Sequence, residues 1–222
     1  MKHKRVLAIS DIQAPYQHRD TLAFYRALRR EIRPTLVMCL GDETDQRTLS
    51  RYVSNPADPS AGDEYEAAME FWAKMYEIFP EARAVHSNHG ERVFKRAAEA
   101  GIPWQYLKTQ HEFMRAPRGW KWAESWEIDG IRYEHGERAN GGANGLRALV
   151  VANMMNTVIG HAHESAGTSW IANDRKTFWG MNVGCMVDKN GAGMRYTKQN
   201  RHKPVLGCGA IIDGVPRFVP LG

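Results

Sequence analysis

Hydrophobic positions in this chain fall alternately into short runs and helical stripes. Residues 6–9 are strand formers that stop at Ser10, and a polar turn with Pro15 follows, so residues 6–10 read as a buried first strand. Thr21, Phe24, Tyr25, Leu28 and Ile32 then recur at helical spacing behind Asp20, a residue suited to an N-cap, until Pro34 ends the pattern. Residues 35–40 predict a second buried strand that ends at Gly41-Asp42. A strand, a crossover helix and a strand form a parallel pair whose carboxyl ends open on one edge, which places Asp11 near Asp42.

The same reading predicts a long helix over residues 63–79, where Tyr65, Met69, Trp72, Met75, Tyr76 and Phe79 make a wide apolar stripe. A third strand over 82–86, a helix over 91–100 closed by Gly101, and a short helix around 104–111 follow. The second half changes character. Residues 121–128 and 131–135 predict a hairpin around Asp129-Gly130, and 205–212 with 215–219 another around Asp213-Gly214. Between them lie a helix over 144–155 and strands over 157–159 and 178–183. Alternation puts Trp120, Trp122 and Trp126 on one face, where packing on a strand explains them better than stacking on bases.

At 222 residues and 43% hydrophobic, the chain suits one compact domain over residues 1–222. It shows no linker, repeat or charge run. Residues 1–5 look like the head of a signal peptide, but the apolar run behind them is too short for export or membrane insertion. Cys39, Cys185 and Cys208 are widely spaced and form no CxxC pair, which suits a reducing compartment, so the expectation is a cytoplasmic protein with no membrane partner. The net charge of +5 would suit a nucleic-acid partner, yet Lys and Arg read as spread along the whole sequence.

What changes the picture is the residue type at each strand end. Asp11 follows the first strand, Asp42 the second, Asn88 and His89 the third, His135 the hairpin, and His161 and His163 the next. In open α/β sheets, ligands bind where such loops converge. Carboxylate, amide and imidazole together suit ions such as Mn, Fe, Zn or Ni, and the number of ligands implies two of them. Two ions suit phosphate-ester hydrolysis because they bind its oxygens, activate water and neutralise developing charge. His89, beside Asn88, would then be placed to protonate the leaving alkoxide.

Asp11-x-Gln13, Gly41-Asp42-x-x-Asp45, Asn88-His89, His135 and Gly160-His161-x-His163 resemble, in order and spacing, the motifs of the calcineurin-like metallophosphoesterase family over residues 11–163. The resemblance implies an α/β fold of two facing mixed β-sheets with helices outside, a four-layer sandwich. It implies one metal held by Asp11, Gln13, Asp42 and His163 and a second by Asp42, Asn88, His135 and His161, with Asp42 bridging. His89 resembles the family's general acid, and Asp45 the carboxylate that orients it. Mn is the metal expected first, with Mg, Fe, Ni, Co or Zn as alternatives.

Two positions depart from the family's pattern. Gln13 stands where a His is usual and offers only an amide oxygen, which weakens the first metal site or makes it select a harder ion. Ser87 stands where a Gly usually precedes Asn-His. For substrate binding, His18, Arg19 and Arg92 flank the metal loops and offer positive charge to a phosphate, and the Gly-rich run 139–144 offers backbone N–H groups to an anion if it is more than a flexible loop. His86 and His111 are set aside as core or surface histidines. A phosphodiester of a nucleotide or single-stranded nucleic acid is the expected substrate. A phosphomonoesterase acting on protein or small molecules, and a catalytically weak phosphate-binding module, are the alternatives. The sequence leaves the oligomeric state open.

Overall fold

The computed structural model describes residues 4–51, 57–139, 142–191 and 203–222, and every structural statement below concerns these. Of the Gly-rich run, Asn140 and Gly141 lie outside them. The first strand, β1 (Arg5–Ile9), is followed by α1 (Thr21–Ile32), β2 (Leu36–Cys39), α2 (Ala61–Ile78), β3 (Glu81–Val85), α3 (Arg92–Glu99), α4 (Gln110–Phe113) and β4 (Gly119–Ala123). Then come β5 (Trp126–Ile128), β6 (Ile131–Tyr133), α5 (Gly142–Asn153), β7 (Asn156–Ile159), β8 (Gly167–Ala172), β9 (Thr177–Asn182), β10 (Gly207–Ile212) and β11 (Val215–Pro220). Single 3₁₀ turns at Arg47–Leu49 and Trp104–Tyr106 complete the path.

Two mixed sheets face each other. One has six strands in the order β11-β10-β1-β2-β3-β4, parallel from β1 to β4 and antiparallel at β10 and β11. The other has five, in the order β5-β6-β7-β9-β8. Strand alternation divides the residues of β1 between two cores. Leu7 and Ile9 pack with Tyr25, Leu28, Trp72 and Met75 of α1 and α2, while Val6 and Ala8 pack between the sheets with Met38, Val158, Met181 and Ile211. Burial on both faces is why residues 6–9 read as a continuous apolar run. On the far side, Leu146, Leu149 and Val150 of α5 cover Ile159 and Phe178 of the second sheet. The fold is thus the expected α/β sandwich of helices, two sheets and helices.

Three expectations are corrected and one strand is new. Residues 121–128 are not one strand: β4 ends the six-stranded sheet, and after two residues β5 begins the other. The three tryptophans therefore do not share a face. Trp120 and Trp122 stack on β4 with ring centroids 5.7 Å apart, whereas the Trp126 indole donates across to the Ala84 carbonyl at 2.8 Å. Strand β8, an edge strand, was not expected. Asp20 occupies the N-cap position of α1 but makes no capping bond, because its φ of −88° and ψ of 1° do not present the carboxylate to the helix end. By contrast, Ser60 caps α2 by accepting from the Asp63 N–H. No described helix is long and apolar enough to cross a membrane.

Candidate metal centre

The loops after β1 and β2 stay in register beyond their strands. The Asp11 N–H donates to the Gly41 carbonyl at 3.1 Å and the Gln13 N–H to the Asp42 carbonyl at 2.9 Å, which locks the two aspartates side by side. Asp11, Gln13, Asp42 and His161 all hold left-handed backbone conformations, at φ of 51°, 49°, 51° and 63°. Such conformations are uncommon outside glycine and cluster at functional sites. The two glycines that precede ligand-type residues are forced by space. A Cβ on Gly41 would come within 2.6 Å of the Ser87 Cβ, and one on Gly160 would overlap the Ser10 hydroxyl and the Asp11 carboxylate.

The side chains then converge into two buried groups. Asp42, His135 and His161 form one and Asp11, Asp42 and His163 the other, with the ligand atoms of each within 4.8 Å of one another and Asp42 common to both. In the first, the His135 Nε2 lies 2.9 Å from the Asn88 Oδ1, 3.1 Å from the His161 Nδ1 and 3.4 Å from the Asp42 Oδ1, while the Leu40 carbonyl 2.6 Å from its Nδ1 fixes the ring. In the second, the His163 Nε2 lies 2.9 Å from the Asp11 Oδ1. Gln13 is buried beside Asp42 and linked to it by the backbone bond above. The donor set fits divalent ions: two carboxylates, an amide oxygen and three imidazoles reach one place from different strand ends.

The electrostatics point the same way. Burial alone would raise the Asp42 carboxyl, but His89 and His135 beside it hold it well below the usual range. Asp11 is likewise lowered, with burial outweighed by His163. Burial would lower His135, yet Asp42 and Asp11 drive it up to about 10, and Asp11 raises His163 in the same way. His161 is lowered, first by burial and then by His135. Two buried carboxylates thus draw positive charge to this point, and a metal ion competes with protons for those same atoms. Glu43 is a third buried acid beside them. Burial pushes it up to about 7, and the Trp122 indole donates to its Oε1 at 2.8 Å.

His89 sits at the rim of the first group, its Nε2 3.7 Å from the Asp42 Oδ2. Its Nδ1 is 3.1 Å from the Asp45 Oδ1, close in distance but not aligned as a hydrogen bond. Arg92 turns inward rather than standing free for a phosphate. It donates to the Asp45 carbonyl and Oδ1 and, through Nη2, to the His89 Nε2 at 2.8 Å. His18 and Arg19 both lie against the Asp20 carboxylate, at 3.8 and 3.7 Å, with the Arg19 side chain 90% exposed.

Two serines escaped sequence reasoning. The Ser10 hydroxyl donates to the Asp11 Oδ2, and the Ser87 hydroxyl accepts the Asp42 N–H at 2.9 Å and the Gly90 N–H at 3.4 Å. Ser87, noted in the sequence only as a departure from the family's Gly, ties the third loop to the second. No spacing or motif marks Ser10 in advance, and the motif marks Ser87 only as a departure. His111 packs edge-on against Trp122 and belongs to neither group.

The family model for calcineurin-like phosphoesterases matches residues 4–157. The chain belongs to that family. As a calcineurin-like phosphoesterase it carries metal-dependent phosphoester chemistry in its lineage, and the two buried groups are its candidate metal-binding clusters. Among solved structures, it is similar to a single mutant of Vps29 from Entamoeba histolytica at 14% identity and TM-score 0.46, covering 98% of this chain and 99% of that one. It is similar to Vps29 from Chaetomium thermophilum at 12% identity and TM-score 0.47, covering 93% of this chain and 82% of the other. YfcE, a phosphoesterase from E. coli, aligns at 13% identity and TM-score 0.44 over 97% of this chain and 92% of that one. No curated protein matches the sequence.

Proposed function

We propose that this phosphoesterase binds two divalent ions, Mn foremost, and hydrolyses a phosphodiester of a nucleotide or single-stranded nucleic acid. The observation that carries the reading is the sharing of Asp42 by two buried ligand groups. Asp11, Gln13, Asp42 and His163 would hold one ion, and Asp42, Asn88, His135 and His161 the other. Bound there, the ions would supply Lewis acidity and lower the pKa of water.

The chain's own residues do the rest. His89 is the proposed general acid, delivering a proton from Nε2 to the departing oxygen. In the present arrangement that atom accepts from Arg92, so Arg92 must swing off it before a proton can be held there. Asp45 holds the other side of the ring and the Arg92 guanidinium together, and therefore sets how far Arg92 can move. His18 and Arg19 remain proposed phosphate contacts from the neighbouring loop.

The test uses chelated protein reconstituted with Mn, Mg, Ni, Co or Zn. Turnover of bis-p-nitrophenyl phosphate, p-nitrophenyl phosphate, 2′,3′-cyclic nucleotides, single-stranded DNA and a phosphoserine peptide is compared under one metal condition. Metal-dependent turnover of diesters is expected, and His89→Gln should lower kcat by roughly 10²–10⁴-fold with unchanged metal content. Activity that survives chelation, or none with any of the ions, would overturn the enzyme reading. Turnover of monoesters alone would overturn the diesterase preference.

A further inference from the structure

The loop after β2 carries Asp45 and then closes into the 3₁₀ turn Arg47–Leu49. Within it, the Leu49 N–H donates to the Gln46 carbonyl at 3.0 Å and the Ser50 N–H to the Arg47 carbonyl at 2.9 Å, so residues 45–50 are tied into one piece. The Asp45 N–H, donating to the Ala14 carbonyl at 3.0 Å, fixes where the piece starts. Helices on either side hold the rest by its backbone. From α2, the Glu64 carboxylate accepts the Arg47 N–H at 2.7 Å and the Thr48 N–H at 3.2 Å. From α3, two arginines one turn apart take the carbonyls. Arg92 donates to those of Asp45 and Gln46, and Arg96 donates from Nε to that of Leu49 at 2.9 Å and from Nη2 to that of Ser50 at 2.6 Å.

Arg92 has two tasks that conflict. The guanidinium that grips the Asp45 carbonyl and carboxylate also donates to the His89 Nε2, and in the reaction proposed above it must leave that atom before a proton can be held there. Its movement loosens its grip on Asp45 at the stage when the Asp45 carboxylate is needed beside the His89 Nδ1. Arg96 has no such conflict. Its hydrogen bonds among the described residues go to Leu49, Ser50 and Glu99, and none of them to His89. The pair with Glu99 is partly exposed and contributes little, so the two backbone carbonyls define what Arg96 does. Reaching both at once requires the planar fork of a guanidinium, since an ammonium is a single point of charge.

We propose that Arg96 is a positioning residue for the proton-donating step: it keeps Asp45 beside the His89 ring while Arg92 is off it. This goes beyond the phosphodiesterase reading and rests on His89 being its general acid. The test compares two diesters in the Mn-loaded full chain. The ribose oxygen that departs from a 2′,3′-cyclic nucleotide needs a proton, whereas the p-nitrophenolate of bis-p-nitrophenyl phosphate leaves without one. Arg96→Met should lower kcat on the cyclic nucleotide about tenfold more than on bis-p-nitrophenyl phosphate, a part of the roughly 10²–10⁴-fold that a general acid supplies. KM and metal content should match the parent. Arg96→Lys keeps the charge but not the fork and should fall between the two, and it carries the same comparison should Arg96→Met fail to fold. In a His89→Gln background the selectivity of Arg96→Met should vanish, because a residue acting through His89 has nothing left to position. Amide hydrogen exchange over residues 45–50, measured in chelator, should quicken in Arg96→Met.

Equal losses on both diesters, a selective loss that persists in His89→Gln, full activity in Arg96→Lys, or unchanged exchange would each overturn the positioning role. A parent that turns over neither diester with any metal would instead sink the enzyme reading, and hydrogen exchange would still report whether Arg96 holds the segment.

Discussion

Gly41 and Gly101 both adopt positive φ, at 92° and 72°, but only at Gly41 does a Cβ also meet atoms, at Ser87 and His135. Gly101→Ala should therefore cost only left-handed strain, about 1 kcal/mol. Gly41→Ala should cost several-fold more and lower metal content, because Ser87 must move and with it the bond to the Asp42 N–H. Urea denaturation and elemental analysis of the two variants check this, and equal costs would show that the Gly41 turn is looser than its contacts imply. Asp42→Ala, which removes the carboxylate common to both groups, should lose both ions and all activity. Gln13→His should raise affinity at one ion only, or shift it towards softer metals. An unchanged metal profile in both variants would mean that the ligand set is misassigned. The acids and imidazoles of this centre are legible in the sequence because each ends an apolar run, where a polar residue needs a reason. Ser10, Ser87 and the inward turn of Arg92 are not, since a hydroxyl or guanidinium chooses its partner only once distant loops meet.

Elements were legible where a period persists. Strands β1 to β3 and helices α1 and α2 are buried on continuous runs or stripes that declare themselves. Strand β8 is Gly-Thr-Ser-Trp-Ile-Ala at a sheet edge with no fully buried residue, so it carries no apolar rhythm. The β4–β5 stretch carries too much of one, since Trp120, Trp122 and Trp126 keep alternating while the chain crosses from one sheet to the other. Helix α2 does more than cover the first sheet. Its Trp72 is fully buried and donates from Nε1 to the Glu43 carbonyl at 3.0 Å, pinning the loop just after Asp42. Trp72→Phe keeps most of the packing and removes one of the two donors to that carbonyl, which still accepts the Ala14 N–H at 3.0 Å, at a cost of about 0.5–1.5 kcal/mol. It should also weaken metal binding although Trp72 is not itself a proposed ligand. Loss of stability with unaltered metal affinity would assign Trp72 to the core alone.

At the scale of the whole molecule, the two sheets meet through an apolar layer, and the three cysteines are free and buried. The proposed ligands divide between the sheets. Asp11, Gln13, Asp42 and Asn88 follow strands of the six-stranded sheet, and His135, His161 and His163 follow strands of the other. Ions bound there would hold the folded state alone, contributing about 2.7 kcal/mol at a hundred times the dissociation constant. Thermal midpoints should therefore rise with added Mn and fall in chelator, and Asp42→Ala should be blind to both. A midpoint indifferent to metal would mean that no ion binds the folded state at these residues. Protease cleavage follows how often the chain opens, so draining the ions would shorten the protein's lifetime as well as stop its turnover. A cell starved of that metal would then hold fewer copies of the enzyme, and recovery would wait on new synthesis rather than on simple refilling.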